Sequence, residues 1–162
     1  MQDARFRDEH QIDGQHFHIH AAAAEEFGSY GCQVWLRKTF KHSVVASIVS
    51  NPRLITVVVK PASYNSLIAV ISAHGPHSYD DRQVITDFWC IVTGVIVELR
   101  SKFQSVCIAL LVDANARTGS VTSSRIGAFN PEKENYPGQC FRTCIESCEL
   151  KAVNKFFSSQ PS

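Results

Sequence analysis

Residues 106–112, Val-Cys-Ile-Ala-Leu-Leu-Val, form an uncharged and nearly all-apolar run that stops abruptly at Asp113, Asn115 and Arg117, with Gly119 close behind. A run of that length and composition predicts a strand buried on both faces, as in the centre of an α/β sheet. Strand alternation then puts Asp113 and Asn115 on the same side of the chain, at the carboxyl end of the strand. Open α/β sheets place their ligands at such ends. A carboxylate there can hold a hard cation or a water, and a neighbouring amide can bind a phosphate oxygen without adding negative charge. The same two residues also suit an Asx turn, which closes many strands for purely local reasons.

The rest of the composition narrows the class. A chain of 162 residues with 44% apolar and 19% charged residues is one globular domain with a real core. Its net charge of +1 provides no global field for nucleic acid, so any such contact needs a local patch. Arg37, Lys38 and Lys41 form the one tight basic cluster, and a solvated strand end accounts for it equally well. The opening Met-Gln-Asp-Ala-Arg-Phe-Arg is not a signal peptide. The longest apolar stretch, residues 88–97, is about half of what a spanning helix needs. The expectation is a chain without a membrane segment, located inside the cell. Six cysteines are present without the paired spacing of a zinc site. Cys32, Cys90 and Cys107 lie in apolar patterns, while Cys140, Cys144 and Cys148 recur at helical spacing, so all six read as structural thiols.

Strands are expected at residues 17–21, 31–36, 54–59 and 67–73, the last two as antiparallel neighbours. His16, His18 and His20 alternate on one strand face. That spacing can hold zinc, but an edge-strand face explains it without a further ligand. A helix follows, with Val84, Phe88, Val92, Val95, Leu99 and Phe103 on one stripe and Ile85, Trp89 and Ile96 beside it. Ser78 with Asp81 marks its expected start. A second helix is expected over residues 139–150, after a polar loop from 118 to 135. His74 ends the fourth strand just before Gly75-Pro76, so its imidazole should face the mouth of the sheet, where it can bind phosphate or steady a carboxylate.

Taken in order, these segments resemble the endonuclease/exonuclease/phosphatase superfamily over almost the whole chain. Gln2-Asp3-Ala4-Arg5 is similar to the family's strand-end Gln-Glu motif, whose acid binds the catalytic metal, with Asp3 one methylene shorter than Glu. Gly31-Cys32-Gln33-Val34-Trp35-Leu36 resembles the strand that follows it. Ser72-Ala73-His74-Gly75-Pro76-His77 resembles the segment that carries an active-site His or Tyr. Val112-Asp113-Ala114-Asn115 resembles the Gly-Asp-x-Asn motif, with Val112 in place of Gly. Asn154-Lys155-Phe156-Phe157 is similar to a segment common in the endonuclease domains of non-long-terminal-repeat retrotransposons.

The resemblance implies an α/β (α+β) fold, a four-layer sandwich of two mostly antiparallel sheets flanked by helices. Residues 1–162 then form a partial domain, incomplete at both ends, because the family's first Asn-bearing strand and its late Ser-Asp-His motif have no counterpart here. The implied activity is Mg²⁺-dependent phosphodiester hydrolysis, with Mn²⁺ as the usual substitute. Asp3 binds the metal, and His74, Asp113 and Asn115 are catalytic. DNA is the first expected substrate, ahead of RNA or a small phosphoester, and a retrotransposon origin implies a nuclear location. Two other readings stay open: a non-catalytic remnant or interaction module, and a phosphatase acting on small phosphoesters or phosphoinositides. Missing flanks also lead us to expect exposed sheet edges, an exposed part of the apolar helix face around Trp89 and Ile96, and poor solubility for the isolated chain.

Overall fold

The computed structural model describes residues 10–24 and 31–157. The chain divides into two compact units, Met1–His74 with Glu98–Asp113, and Gly75–Val97 with Ala114–Ser162. The first unit holds two sheets. One is antiparallel, in the order β1 (His10–Asp13), β2 (Phe17–Ala21), β3 (Gln33–Arg37). The other runs β4 (His42–Asn51), β5 (Leu54–Pro61), β6 (Ile68–His74), β7 (Cys107–Asp113), antiparallel except for the parallel β6–β7 pair.

The sheets face each other across one apolar layer. Val34 and Leu36 of β3 pack with Ile55, Val57 and Val59 of β5, together with Ala22 and Cys32. Alternation in β5 sends Ile55, Val57 and Val59 into that layer. Leu54, Thr56 and Val58 point to the opposite face and are buried as well. β5 is therefore buried on both faces. The expectation placed that role on β7, which the sheet order instead puts at the end of the row, with Cys107, Leu111 and Asp113 exposed. Apolar runs of similar length cannot reveal their neighbours, and here the β-branched run took the centre.

The antiparallel pairing of residues 54–59 with 68–73 matches expectation, in the register Leu54↔Ala73 to Val59↔Ile68. Two strands were not expected. β1 is four residues long, and β4 is a half-buried strand with two bulges whose Ser and Ala residues give no clear period. β2 is the middle strand of its sheet rather than an edge, and its histidines find partners, one on β1 and one on β4 of the other sheet. His18 Nδ1 lies 3.0 Å from Asp13 Oδ1, and buried His20 shares a hydrogen bond of 3.1 Å with Ser47 Oγ.

Helix α1 (Arg82–Lys102) connects the parallel strands, as parallel pairing requires. Its cap is Asp81, whose Oδ1 accepts from Gln83 N at 2.7 Å, three residues after the expected Ser78 start. The buried stripe is Ile85, Phe88, Trp89, Val92, Ile96 and Leu99, rotated from the expected one so that Val84 is exposed, while Trp89 and Ile96, expected on an exposed face, are covered. Arg100 and Lys102 in the last turn complement the helix dipole. Among the described residues no helix is long and apolar enough to cross a membrane.

In the second unit, α2 (Tyr136–Ser147) begins three residues before the expected position. Asn135 caps it by accepting from Gly138 N, with Pro137 in the first turn. Tyr136 joins α2 to α1 through a 2.8 Å hydrogen bond with Thr86, and Trp89 meets Phe141 with ring centroids 5.1 Å apart. Cys144 and Cys148 are buried, and burial pushes the Cys144 thiol well above its ordinary pKa. Cys90 and Cys107, expected inside, are exposed.

Candidate active site

β6 and β7 run parallel and end together. Their register closes on the pair His74↔Asp113. Paired residues on neighbouring strands point to the same face of the sheet, about 4.8 Å apart at the backbone. An imidazole and a carboxylate separated by 38 intervening residues thus share one face at the carboxyl ends of two parallel strands. His74 is buried and Asp113 is exposed.

The backbone of His74 is fixed from the other side. Its N–H donates to the Arg53 carbonyl at 2.9 Å, and Arg53 lies in the β4–β5 turn, where its own N–H donates to Asn51 Oδ1. Beneath this end, Cys32 is fully buried and its thiol is pushed up to about 11 by desolvation, against the lowering effect of a hydrogen bond with Ser72. That thiol stays protonated at neutral pH and belongs to the packing.

Asn115 belongs to the second unit and is held differently. β7 stops at Asp113, and Asn115 adopts a left-handed φ of 46°, so strand alternation does not set its direction as expected. Asn tolerates that conformation better than most residues. Its Nδ2 donates to the Gly75 carbonyl at 2.9 Å and ties the segment after β7 to the segment after β6. Asp3, the expected metal ligand, lies outside the described residues.

No family model matches the sequence, and no curated protein matches it either. Among solved structures, the endonuclease domain of TRAS1, a telomere-specific non-LTR retrotransposon, superposes with a TM-score of 0.50. The match covers 82% of this chain and 52% of that one, at 11% identity. The chain has the fold of that endonuclease domain. It spans about half the length of the domain it matches.

Within this endonuclease-type fold, the second unit contains an anchor that the sequence reading passed over. Asn135 Oδ1 accepts from Arg117 N as well as from Gly138 N, both at 2.9 Å, and Asn135 N donates to the Arg117 carbonyl at 3.2 Å. One side chain thereby caps α2 and grips the loop that carries Asn115. Gly138 is required for this approach, because a Cβ there would lie 1.8 Å from the Arg117 carbonyl oxygen. The sequence Asn-Tyr-Pro-Gly advertises a helix start, but nothing local shows what packs against it. The Asn154–Phe157 segment is held likewise: Lys155 O accepts from Phe129 N at 3.0 Å, and Lys155 Nζ donates to the carbonyls of Phe129 and Asn130.

The donor set also bears on metal binding. Among the described residues no three His, Cys, Asp or Glu side chains cluster so as to hold an ion. One exposed carboxylate at a strand end suits a hard cation that keeps most of its water, the habit of Mg²⁺.

Proposed function

We propose that this chain is the central part of a metal-dependent phosphodiesterase domain, a DNA endonuclease of retrotransposon type. The observation that carries this reading is the His74↔Asp113 register pair at the ends of two parallel strands, in a fold shared with a retrotransposon endonuclease domain. Asp113 orients and deprotonates the attacking water, and His74 beside it supports the charge that develops on the phosphate. Asn115 holds a phosphate oxygen. Asp3 is the carboxylate that would hold Mg²⁺ or Mn²⁺, and the bound ion would supply Lewis-acid polarisation of the phosphate. DNA is the favoured substrate over RNA or a small phosphoester, and the parent protein acts in the nucleus.

We further propose that residues 1–162 alone cleave poorly. The chain matches 52% of the endonuclease domain, and groups that act as one catalytic unit lose most of the rate when any is removed. Plasmid nicking with Mg²⁺ against a chelator tests both statements. It compares this chain, a chain extended with flanks carrying an Asn-bearing strand and a Ser-Asp-His motif, and the extended Asp113→Ala variant. The short chain is expected to nick little, the extended chain to nick only with metal, and Asp113→Ala to abolish it. Robust nicking by the short chain that Asp113→Ala removes would overturn the claim of incompleteness. A well-folded extended chain without activity would overturn the nuclease reading.

A second reading draws on the Asn115 amide. Its donation to the Gly75 carbonyl is a structural use of a residue assigned to phosphate, as in a module that keeps the fold without the chemistry. The inactive extended chain is the outcome that favours it.

A further inference from the structure

The acidic residues of this chain are unevenly placed. From residue 27 to residue 79 there is no Asp or Glu, while Arg37, Lys38, Lys41, Arg53 and Lys60 all fall in that stretch. A chain of net charge +1 therefore concentrates its positive charge in the segment that builds β3 to β6.

The fold gathers three of those lysines at one place. The β3–β4 turn carries Lys38, Phe40 and Lys41, β4 opens with His42, β5 ends beside Lys60, and the β5–β6 turn carries Tyr64. These residues wall a cup of about 530 Å³, a size in the range of ligand sites. The walls are fixed by the backbone: His42 is in register with Pro61, Ser43 with Lys60, and Ala62 N donates to the Lys41 carbonyl at 2.9 Å. The cup lies at the end of the sheet away from His74 and Asp113. β5 runs from Leu54, opposite Ala73, to Pro61, a rise of roughly 23 Å.

Two features select the chemistry of a ligand. The first is uncompensated charge. Lys38 is paired at 2.6 Å with Asp13, which also meets His18, but among the described residues no carboxylate pairs with Lys41 or Lys60. The second is a row of rings with open faces. Phe40 stacks on His42 with centroids 5.2 Å apart at 22°, and His42 meets His18 edge-on. A hydrogen bond between His42 Nδ1 and the Phe40 carbonyl holds that stack. Phe40 is 40% exposed and Tyr64 is 66% exposed, both on the cup. Lysines free to meet phosphates, next to aromatic faces free to meet bases, match an unpaired nucleic-acid strand. A duplex keeps its bases stacked on each other and offers those rings nothing.

We propose that this cup binds single-stranded nucleic acid, with Lys41 and Lys60 on phosphates and Phe40 and Tyr64 against unstacked bases. The site is separate from the His74–Asp113 pair, and the inference stands whether or not the chain cleaves DNA. A second, remote grip on a single strand would hold one end of an opened substrate on the protein.

The test is a fluorescence-anisotropy titration of the full chain with a labelled oligothymidylate, in chelator and over a range of salt concentrations. Binding is expected to weaken with salt. The Lys41→Ala/Lys60→Ala variant should lower the slope of log affinity on log salt by about 1.4, as two lost phosphate contacts on a single strand require. Phe40→Ala and Tyr64→Ala should each weaken binding about tenfold and leave that slope unchanged, with Phe40→Tyr and Tyr64→Phe restoring it. Circular dichroism checks that these surface variants stay folded, and the conservative pair keeps the comparison readable if an alanine variant does not. No measurable binding would overturn the proposal. So would silent aromatic variants, or equal binding of a duplex or of anionic lipid vesicles with the same lysine dependence, since either marks a plain basic patch.

Discussion

His74 and Asp113 are direct neighbours across a parallel strand pair, the last two residues of β6 and β7 to be in register. Their pairing follows from a crossover helix that returns the chain in the same direction, so both strands finish at one end of the sheet. That neighbourhood is testable without any activity. A His74→Cys/Asp113→Cys double variant should form a disulfide under mild oxidation, because adjacent backbones about 4.8 Å apart fall within disulfide geometry. Peptide mapping identifies the bond among the six native cysteines. Failure to form it in a folded protein would contradict the register.

Asn135 should be the most costly polar side chain to remove from the second unit. Its Oδ1 accepts from Arg117 N and Gly138 N, so Asn135→Ala loses a helix cap and a loop anchor together, about 2 kcal/mol. Asn135→Asp keeps both acceptors and should cost far less. Urea denaturation midpoints separate the two, and equal losses would mean that the cap contributes nothing.

Gly138→Ala should destabilise by about 2–3 kcal/mol, because the new methyl would meet the Arg117 carbonyl oxygen at 1.8 Å and backbone would have to shift to relieve it. Gly94→Ala is the control, since a Cβ there meets nothing within 4 Å and the site is helical. A loss at Gly138 no larger than at Gly94 would sink the packing argument.

At Asn115 backbone and side chain can be told apart. Asn115→Gly keeps the φ of 46° and loses the bond to Gly75, costing about 1 kcal/mol. Asn115→Ala loses the bond and strains the backbone, adding about 1 kcal/mol more. Thermal melting of both variants gives the difference, and equal values would show that the left-handed backbone carries no cost.

Stability should fall as the solution turns mildly acidic. Burial, with His18 and His42 near, lowers the His20 pKa below its ordinary 6.5. The unfolded chain then takes up a proton before the folded one does. The contribution of His20 is thus complete above about pH 6.5 and is lost as pH falls toward its folded pKa. Asp13, lowered chiefly by its hydrogen bond with Lys38, acts in the same sense at more acid pH, below its ordinary 3.8. Melting temperatures measured from about pH 8 to about pH 5 should decline, and His20→Gln should flatten the curve. An unchanged slope in that variant would exclude His20 as the cause.

How far the sequence could be read depended on which interactions were local. The run Leu54–Val59 is β-branched and bounded by turns, so its strand and its antiparallel partner at Ile68–Ala73 were legible. The helix before β7 was legible from its period. Its exact stripe was not, because Val84 and Ile85 are equally apolar and only packing leaves one exposed and buries the other. β4 was hidden by its Ser and Ala residues and by two bulges, since each bulge shifts the alternation of side chains by one residue.

By itself the sequence determined the two-sheet α+β class, the residue types at the strand ends and the likeness of His74, Asp113 and Asn115 to a known motif order. The strand ends follow from periodicity and short-range turn chemistry, which a linear chain carries in full, while the two-sheet class is what the resemblance in motif order implied. Only the tertiary structure decided that β5 rather than β7 lies buried on both faces, that β2 is a central strand, and that His74 is in register with Asp113. It also decided that Asn115 leans on Gly75 and that lysines from separate turns share one cup with Phe40 and Tyr64. Each of these depends on which strand pairs with which across tens of residues, and that pairing is settled by the total burial and hydrogen bonding of the whole sheet rather than by any one segment.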